Sequence, residues 1–159
     1  MTALDESIRT FTADPAAGRG RPTVTATLSN GHARVSAGPF NWEADLPAAV
    51  GGGNLAPSPT AYLLGALGAC AVAFVNDTLA PQFDVEISGI TATVSCGSDL
   101  GGLLGLPGTD PRLSDVTLDV VVDSPSPRDR VAEVERAWRE RCPIYLALLE
   151  PTDVKLTFN

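Results

Sequence analysis

Histidine occurs once and cysteine three times in these 159 residues, and their spacing excludes more than it offers. Cys70, Cys96 and Cys142 form no CxxC, and no HxxxH accompanies them, so the ligand spacing of a structural metal site is absent and no metal is expected. Neither GxGxxG nor GxxxxGK[ST] is present, which removes the usual phosphate cradles and leaves no cofactor to expect. Basic side chains are few: 11 Lys and Arg face 19 Asp and Glu, a formal charge of −8 that would repel a phosphate backbone. Nucleic acid is therefore not an expected partner. The longest apolar run, AYLLGALGACAVAFV, is about fifteen residues, against the roughly twenty that span a bilayer, and Asn76 and Asp77 end it. No membrane partner is expected. The opening MTALDESIRTFTADP sets Asp5, Glu6 and Arg9 where a secretory signal needs an apolar core. With an odd number of cysteines, the expectation is a cytoplasmic chain whose thiols stay reduced.

What is present suits a single globular domain over residues 1–159: 44% hydrophobic and 19% charged residues, at a length near the usual domain size. Residues 1–21 read as a polar, loop-like segment. From Thr23, TVTATL alternates, with Val24, Ala26 and Leu28 on one face, and predicts a half-buried strand. SNG then predicts a turn into HARVSAGPFNWEADLP, a hairpin partner interrupted near Gly38 and Pro39. A Gly/Pro-rich loop delivers the chain to Ser58, a helix cap, with Pro59 preorganised at the first position. The helix should run to about Ala80, where Pro81 stops it. Leu63, Leu67, Cys70 and Phe74 share one stripe, widened by Leu64, Ala71 and Val75, so it should be buried on most sides.

Further on, Ile90, Ala92, Val94 and Cys96 alternate along one strand. Val116, Leu118, Val120 and Val122 alternate along its expected partner. Val131, Val134, Trp138 and Cys142 fall at helical spacing until Pro143, which suits the start of a second short helix. DVKLTF, with Val154, Leu156 and Phe158 alternating, predicts a closing strand. The order is α+β: antiparallel strands with long helices, not a doubly wound parallel sheet.

His32, just after the turn, reads as a solvated residue rather than half of a catalytic pair. Cys96 reads as a small hydrophobe on its strand. Cys70 and Cys142 are different: both lie on the inward stripes of helices long enough to pack together, so the thiols can meet at one crossing. Cys142 also precedes Pro143, where unpaired N–H groups and the helix dipole favour a thiolate. Cys70 lies some eleven residues into its helix, beyond the reach of that dipole, and needs an external cation. Two readings stay open on the residues alone: a two-thiol redox site, or two core cysteines.

SPTAYLLGALGAC in the first long helix, RCPIYLALL near the end, and EADLP followed by GGGNLAPSP resemble the OsmC/Ohr family of osmotically inducible and organic hydroperoxide resistance proteins. The likeness runs from Thr23 to Phe158. It implies an intertwined homodimer, with antiparallel sheets around central helices and thiol sites at the subunit interface. It also implies a peroxidase in which Cys70 attacks an organic hydroperoxide, Cys142 resolves the product, and a dithiol reductant restores both. In that pattern an N-terminal arginine supports the thiolate, and a glutamate in the helix start orients it. Here Thr60 stands at the glutamate position, while Arg19, Arg21 and Arg34 are candidates for the arginine and Glu43 stands where some relatives carry a base. A non-enzymatic, ligand-binding or oxidant-sensing module of the same fold is the alternative that Thr60 motivates. Leu63, Leu67, Phe74 and Trp138 are expected to line an apolar pocket fit for an organic peroxide.

Overall fold

A computed structural model describes residues 2–150 and 152–158. The chain falls into two compact units, Met1–Pro57 and Ser58–Asn159. The first opens with a helix, α1 (Ala3–Ala13), which corrects the loop-like reading of that stretch. Its cause is a capping box: Thr2 accepts from the Asp5 N–H while the Asp5 carboxylate accepts from the Thr2 N–H, which satisfies two otherwise open donors. Three antiparallel strands follow in sequence order, β1 (Thr25–Ser29), β2 (His32–Ala37) and β3 (Phe40–Ala44). Asn30 and Gly31 both take positive φ, 52° and 85°, the backbone that a tight hairpin of this twist demands. The meander is as predicted, but β1 buries neither face: Leu28 is 84% exposed. Asp45, just after β3, is buried and its carboxylate accepts the N–H groups of Leu46, Gly53 and Leu55, tying down the Gly-rich loop.

The second unit is built on α2 (Pro59–Phe74). Ser58 caps it by accepting from the Ala61 N–H, with Pro59 in the first turn as predicted, an interaction that contributes about 1 kcal/mol. Helical structure does not stop at Ala80. It continues through a π turn, Val75–Leu79, into a short segment, α3 (Ala80–Gln82). Pro81 has no N–H, and its ring would strike the carbonyl four residues back in a regular helix. The wider turn just ahead, closed by the Ala80 N–H on the Val75 carbonyl, lets the chain pass. Pro59–Gln82 is thus 24 residues, with a most apolar 18-residue stretch of mean hydropathy 1.6, long and apolar enough by length and composition to cross a bilayer. A core helix meets the same criteria, and Leu67, Ala71, Val75 and Leu79 here form the spine of the core. Burial follows one face only: Leu63 is 39% exposed, and Ala66, Ala69 and Ala73 are exposed.

Strands β4 (Gly89–Gly97) and β5 (Ser114–Asp123) pair antiparallel, with Val94 opposite Leu118 and a bulge beyond Ser95. Between them lies the four-residue helix α4 (Leu100–Leu103). Gly68 lets α2 lie close on β4, since a Cβ there would sit 3.2 Å from a Val94 methyl. The predicted alternation on β4 holds, but Val116 and Val120 of β5 are exposed. Helices α5 (Arg128–Arg141) and α6 (Pro143–Leu149) follow, broken at Cys142 as the Cys-Pro dipeptide predicts. The expected closing strand does not form: residues 152–158 make no ladder, and Val154, Leu156 and Phe158 are 85%, 75% and 90% exposed. An alternating sequence supplies a face, but a strand also needs a neighbour to take its N–H and C=O groups.

Candidate active site

The crossing of α2 with the α5–α6 break brings Cys70 and Cys142 together. Their sulfurs lie 2.8 Å apart, although 72 positions separate them in sequence, and both are free thiols. A bonded pair sits at about 2.05 Å, so a disulfide would need an approach of less than an ångström. Convergence, the central expectation from sequence, is met.

Cys142 is fully buried and does double duty at the chain break. Its N–H donates to the Trp138 carbonyl at 2.9 Å, closing α5. Its backbone is extended, and its Sγ accepts the Tyr145 N–H at 3.5 Å, which makes the thiol itself the cap of α6. Sequence placed the residue at the helix start; the structure adds that sulfur satisfies one of the open amides there.

Cys70 is partly exposed and is held from the backbone side by Trp138, whose Nε1–H donates to the Cys70 carbonyl at 3.3 Å. The Trp138 and Tyr145 rings pack 5.1 Å apart, centroid to centroid, and each residue hydrogen-bonds one of the two cysteines. Burial, then the hydrogen bond and charge coupling to Cys142, push the Cys70 thiol up to about 12. The Ile144 N–H at the start of α6 opposes this by favouring the thiolate. No guanidinium acts on Cys70 among the described residues.

Of the arginines considered from sequence, Arg19 and Arg21 lie exposed in irregular chain and Arg34 is exposed on β2. Thr60 sits half-buried in the first turn of α2, where no acidic residue is present. His32 is not the solvated turn residue that was expected. Its side chain is 10% exposed and its Nε2 faces Glu43 at 3.5 Å, within the first unit. Cys96 is half-buried on β4, compatible with a packing role. Among the described residues no group of three metal-ligating side chains assembles.

A cavity of about 790 Å³ opens in the second unit, with walls that include Leu63, Leu67, Leu118, Val134, Trp138 and Tyr145. Phe74, expected there, packs against the core instead. Trp138 and Tyr145 are common to the cavity wall and the thiol pair. Sequence reasoning missed Asp119, Glu135 and Arg139 at the cavity. The spacing of Glu135 and Arg139, four residues apart on one helix, was the available signal.

An α+β fold carrying an apposed cysteine pair at a helix break defines a class of dithiol protein. Within it, the sequence model for OsmC-like protein matches residues 51–157, and the chain belongs to the OsmC-like family. Among solved structures it is similar to an OsmC-like protein from Mycoplasma pneumoniae (22% identity, TM-score 0.68, 83% of this chain and 89% of that one). It also resembles an organic hydroperoxide resistance protein OsmC from Legionella pneumophila (16%, 0.58, 81% and 89%). A third is the organic hydroperoxide resistance protein OhrB of Bacillus subtilis (21%, 0.53, 86% and 96%). At these identities the likeness is one of fold. No curated protein sequence matches the chain.

Proposed function

We propose that this protein is a thiol-dependent peroxidase that reduces organic hydroperoxides. The Cys70 thiolate attacks the peroxide, giving a sulfenic acid and releasing the alcohol. The Cys142 thiol then attacks that sulfur, expelling water and leaving a Cys70–Cys142 disulfide, which an external dithiol reduces. The observation that carries this reading is the 2.8 Å separation of the two sulfurs. Hydroperoxide resistance proteins among the structural neighbours support it. The reading includes a homodimer in a reducing, cytoplasmic setting: the apolar side chains of 154–158 lie open and suit cover by a second copy.

The test is to add cumene hydroperoxide to the reduced protein, titrate thiols and map the bridge by mass spectrometry. Two of three thiols should disappear into a Cys70–Cys142 link while Cys96 stays free, and a dithiol should sustain repeated peroxide consumption. An unchanged thiol count would overturn the reading.

One observation favours a second reading, an oxidant sensor without turnover. A thiol pushed up to about 12 supplies little thiolate at neutral pH. That protein would form the same disulfide once, with no continued consumption of peroxide in the presence of dithiol.

A further inference from the structure

Trp138 is hydrogen-bonded to both cysteines. Its carbonyl accepts the Cys142 N–H at 2.9 Å, and its indole Nε1–H donates to the Cys70 carbonyl at 3.3 Å, across 68 positions of sequence. The first bond is the last rung of α5; the second belongs to no helix ladder and ties α5 to the middle of α2. Trp138 and Cys142 are four residues apart, so their side chains start from one face of α5. The indole ring also packs on the Tyr145 ring, tilted by 40°, and the Tyr145 N–H is the group that meets Cys142 Sγ. Trp138 is buried, so water does not compete for its N–H. Around it, Leu67, Ala71, Val134 and Ala137 join one apolar cluster. Apolar burial has no direction and lets one helix slide along another. A hydrogen bond, with its narrow range of length and angle, does not.

We infer that Trp138 is the positioning residue of the thiol pair: its indole fixes where Cys70 stands on α2 against Cys142 at the α5–α6 break, and so sets how readily the two sulfurs join. This deepens the peroxidase reading and rests on it for the sulfenic acid. In that step the Cys142 sulfur attacks the Cys70 sulfenic sulfur; the S–S bond forms, the S–O bond breaks, and the departing hydroxide takes the Cys142 proton and leaves as water. Trp138 makes and breaks no bond there and acts through the backbone of both cysteines. Loss of its N–H should therefore spare the attack on peroxide and slow the joining of the sulfurs. It should also lower the effective concentration of one thiol toward the other, which makes the disulfide easier to reduce. One hydrogen bond of ordinary net strength shifts such an equilibrium by roughly three- to tenfold.

The experiment compares the full-length parent with Trp138→Phe, which keeps a ring and loses the donor, and with Val85→Ala, a truncation elsewhere in the same core. Each protein is equilibrated with mixtures of reduced and oxidised dithiothreitol, and the Cys70–Cys142 bridge is quantified by mass spectrometry. Trp138→Phe should need roughly three- to tenfold more oxidised over reduced dithiothreitol to form the bridge, while Val85→Ala stays close to the parent. After one equivalent of cumene hydroperoxide, dimedone should capture more Cys70 sulfenic acid in Trp138→Phe by a similar factor, with the rate of peroxide loss unchanged. Replacing Trp138 by benzothienylalanine, which keeps the bicyclic shape and puts sulfur where the N–H stood, should reproduce both shifts and serves if the Phe variant does not fold. An unmoved bridge equilibrium in a folded protein lacking the N–H overturns the inference, and so does an equal shift in Val85→Ala. A parent that bridges with oxidised dithiothreitol but not with peroxide overturns the peroxidase reading and leaves the role of Trp138 to the equilibrium. No bridge with either oxidant overturns both.

Discussion

A reduced sample alkylated over a range of pH reads the state of Cys70 directly. The thiol is pushed from its ordinary 9.0 up to about 12, which lowers the thiolate fraction at pH 7 about a thousandfold, from roughly one in a hundred to one in 10⁵. The rate should fall by less, because a more basic thiolate is a better nucleophile. With a Brønsted coefficient of about 0.4–0.5, some 1.2 to 1.5 decades return, leaving Cys70 roughly 30- to 60-fold slower than an ordinary thiol. Mass-resolved alkylation with iodoacetamide, compared with the same cysteine in the denatured chain, measures this ratio. The rate at Cys70 should climb tenfold per pH unit from 7 past 10 with no plateau, since the thiolate fraction is still rising there. Cys142→Ala should move the profile toward lower pH, because it removes the coupling and the hydrogen bond, while burial, the largest cause, remains. A plateau below about pH 8, or alkylation faster than in the denatured chain, would refute the reasoning and require a cation acting on the sulfur. Linkage gives the same pH window from the stability side. The folded chain keeps the Cys70 proton between 9.0 and about 12 while the unfolded chain releases it, so stability falls as pH rises through that range.

Trp138→Phe keeps a ring in the core but loses the hydrogen bond to the Cys70 carbonyl. It should cost about 1–2 kcal/mol in urea unfolding, well short of the 3–5 kcal/mol for Trp138→Ala, and a Trp138→Phe variant as stable as the parent would show that the indole N–H contributes nothing. Asp45 is held low chiefly by the Leu55 N–H, with those of Leu46 and Gly53 and the charge of His32 adding to it. Asp45→Asn should therefore lower thermal stability at pH 7, and the two melting curves should converge as pH falls below the ordinary 3.8, where the unfolded chain takes up the proton first. A gap undiminished near pH 2 would assign the effect to shape, not charge.

The helices and the thiol pair were legible because their signals are local or strongly periodic. Ser58–Pro59 marks a helix start by chemistry that acts within one turn, Cys142–Pro143 marks a break the same way, and the 3.6-residue stripes place both sulfurs inward. The first helix was equally local in origin, yet its capping box uses Asp at the third position in a segment with no buried residue, so no apolar stripe announced it. The π turn before Pro81 was hidden for another reason: proline forbids a regular continuation, and only packing decides whether a helix stops or widens. Rim charges such as Asp119 were invisible because strand and helix must be assembled before they share a cavity.

The alternating strands carry the most consequential difference. Leu28 in β1 and Val154, Leu156 and Phe158 near the end follow the period-two pattern, yet each is three-quarters or more exposed. A single misread residue would not produce this, because a run of apolar side chains on one face is costly to leave in water. The pattern is real, but among the described residues nothing covers these side chains. The thiol pair needs no such cover, since α2, α5 and α6 hold it within one unit and Cys142 fastens two of those helices through its own N–H and sulfur. The geometry of the pair is therefore set within one unit of the chain, where burial and the neighbouring Cys142 hold the Cys70 thiol up at about 12.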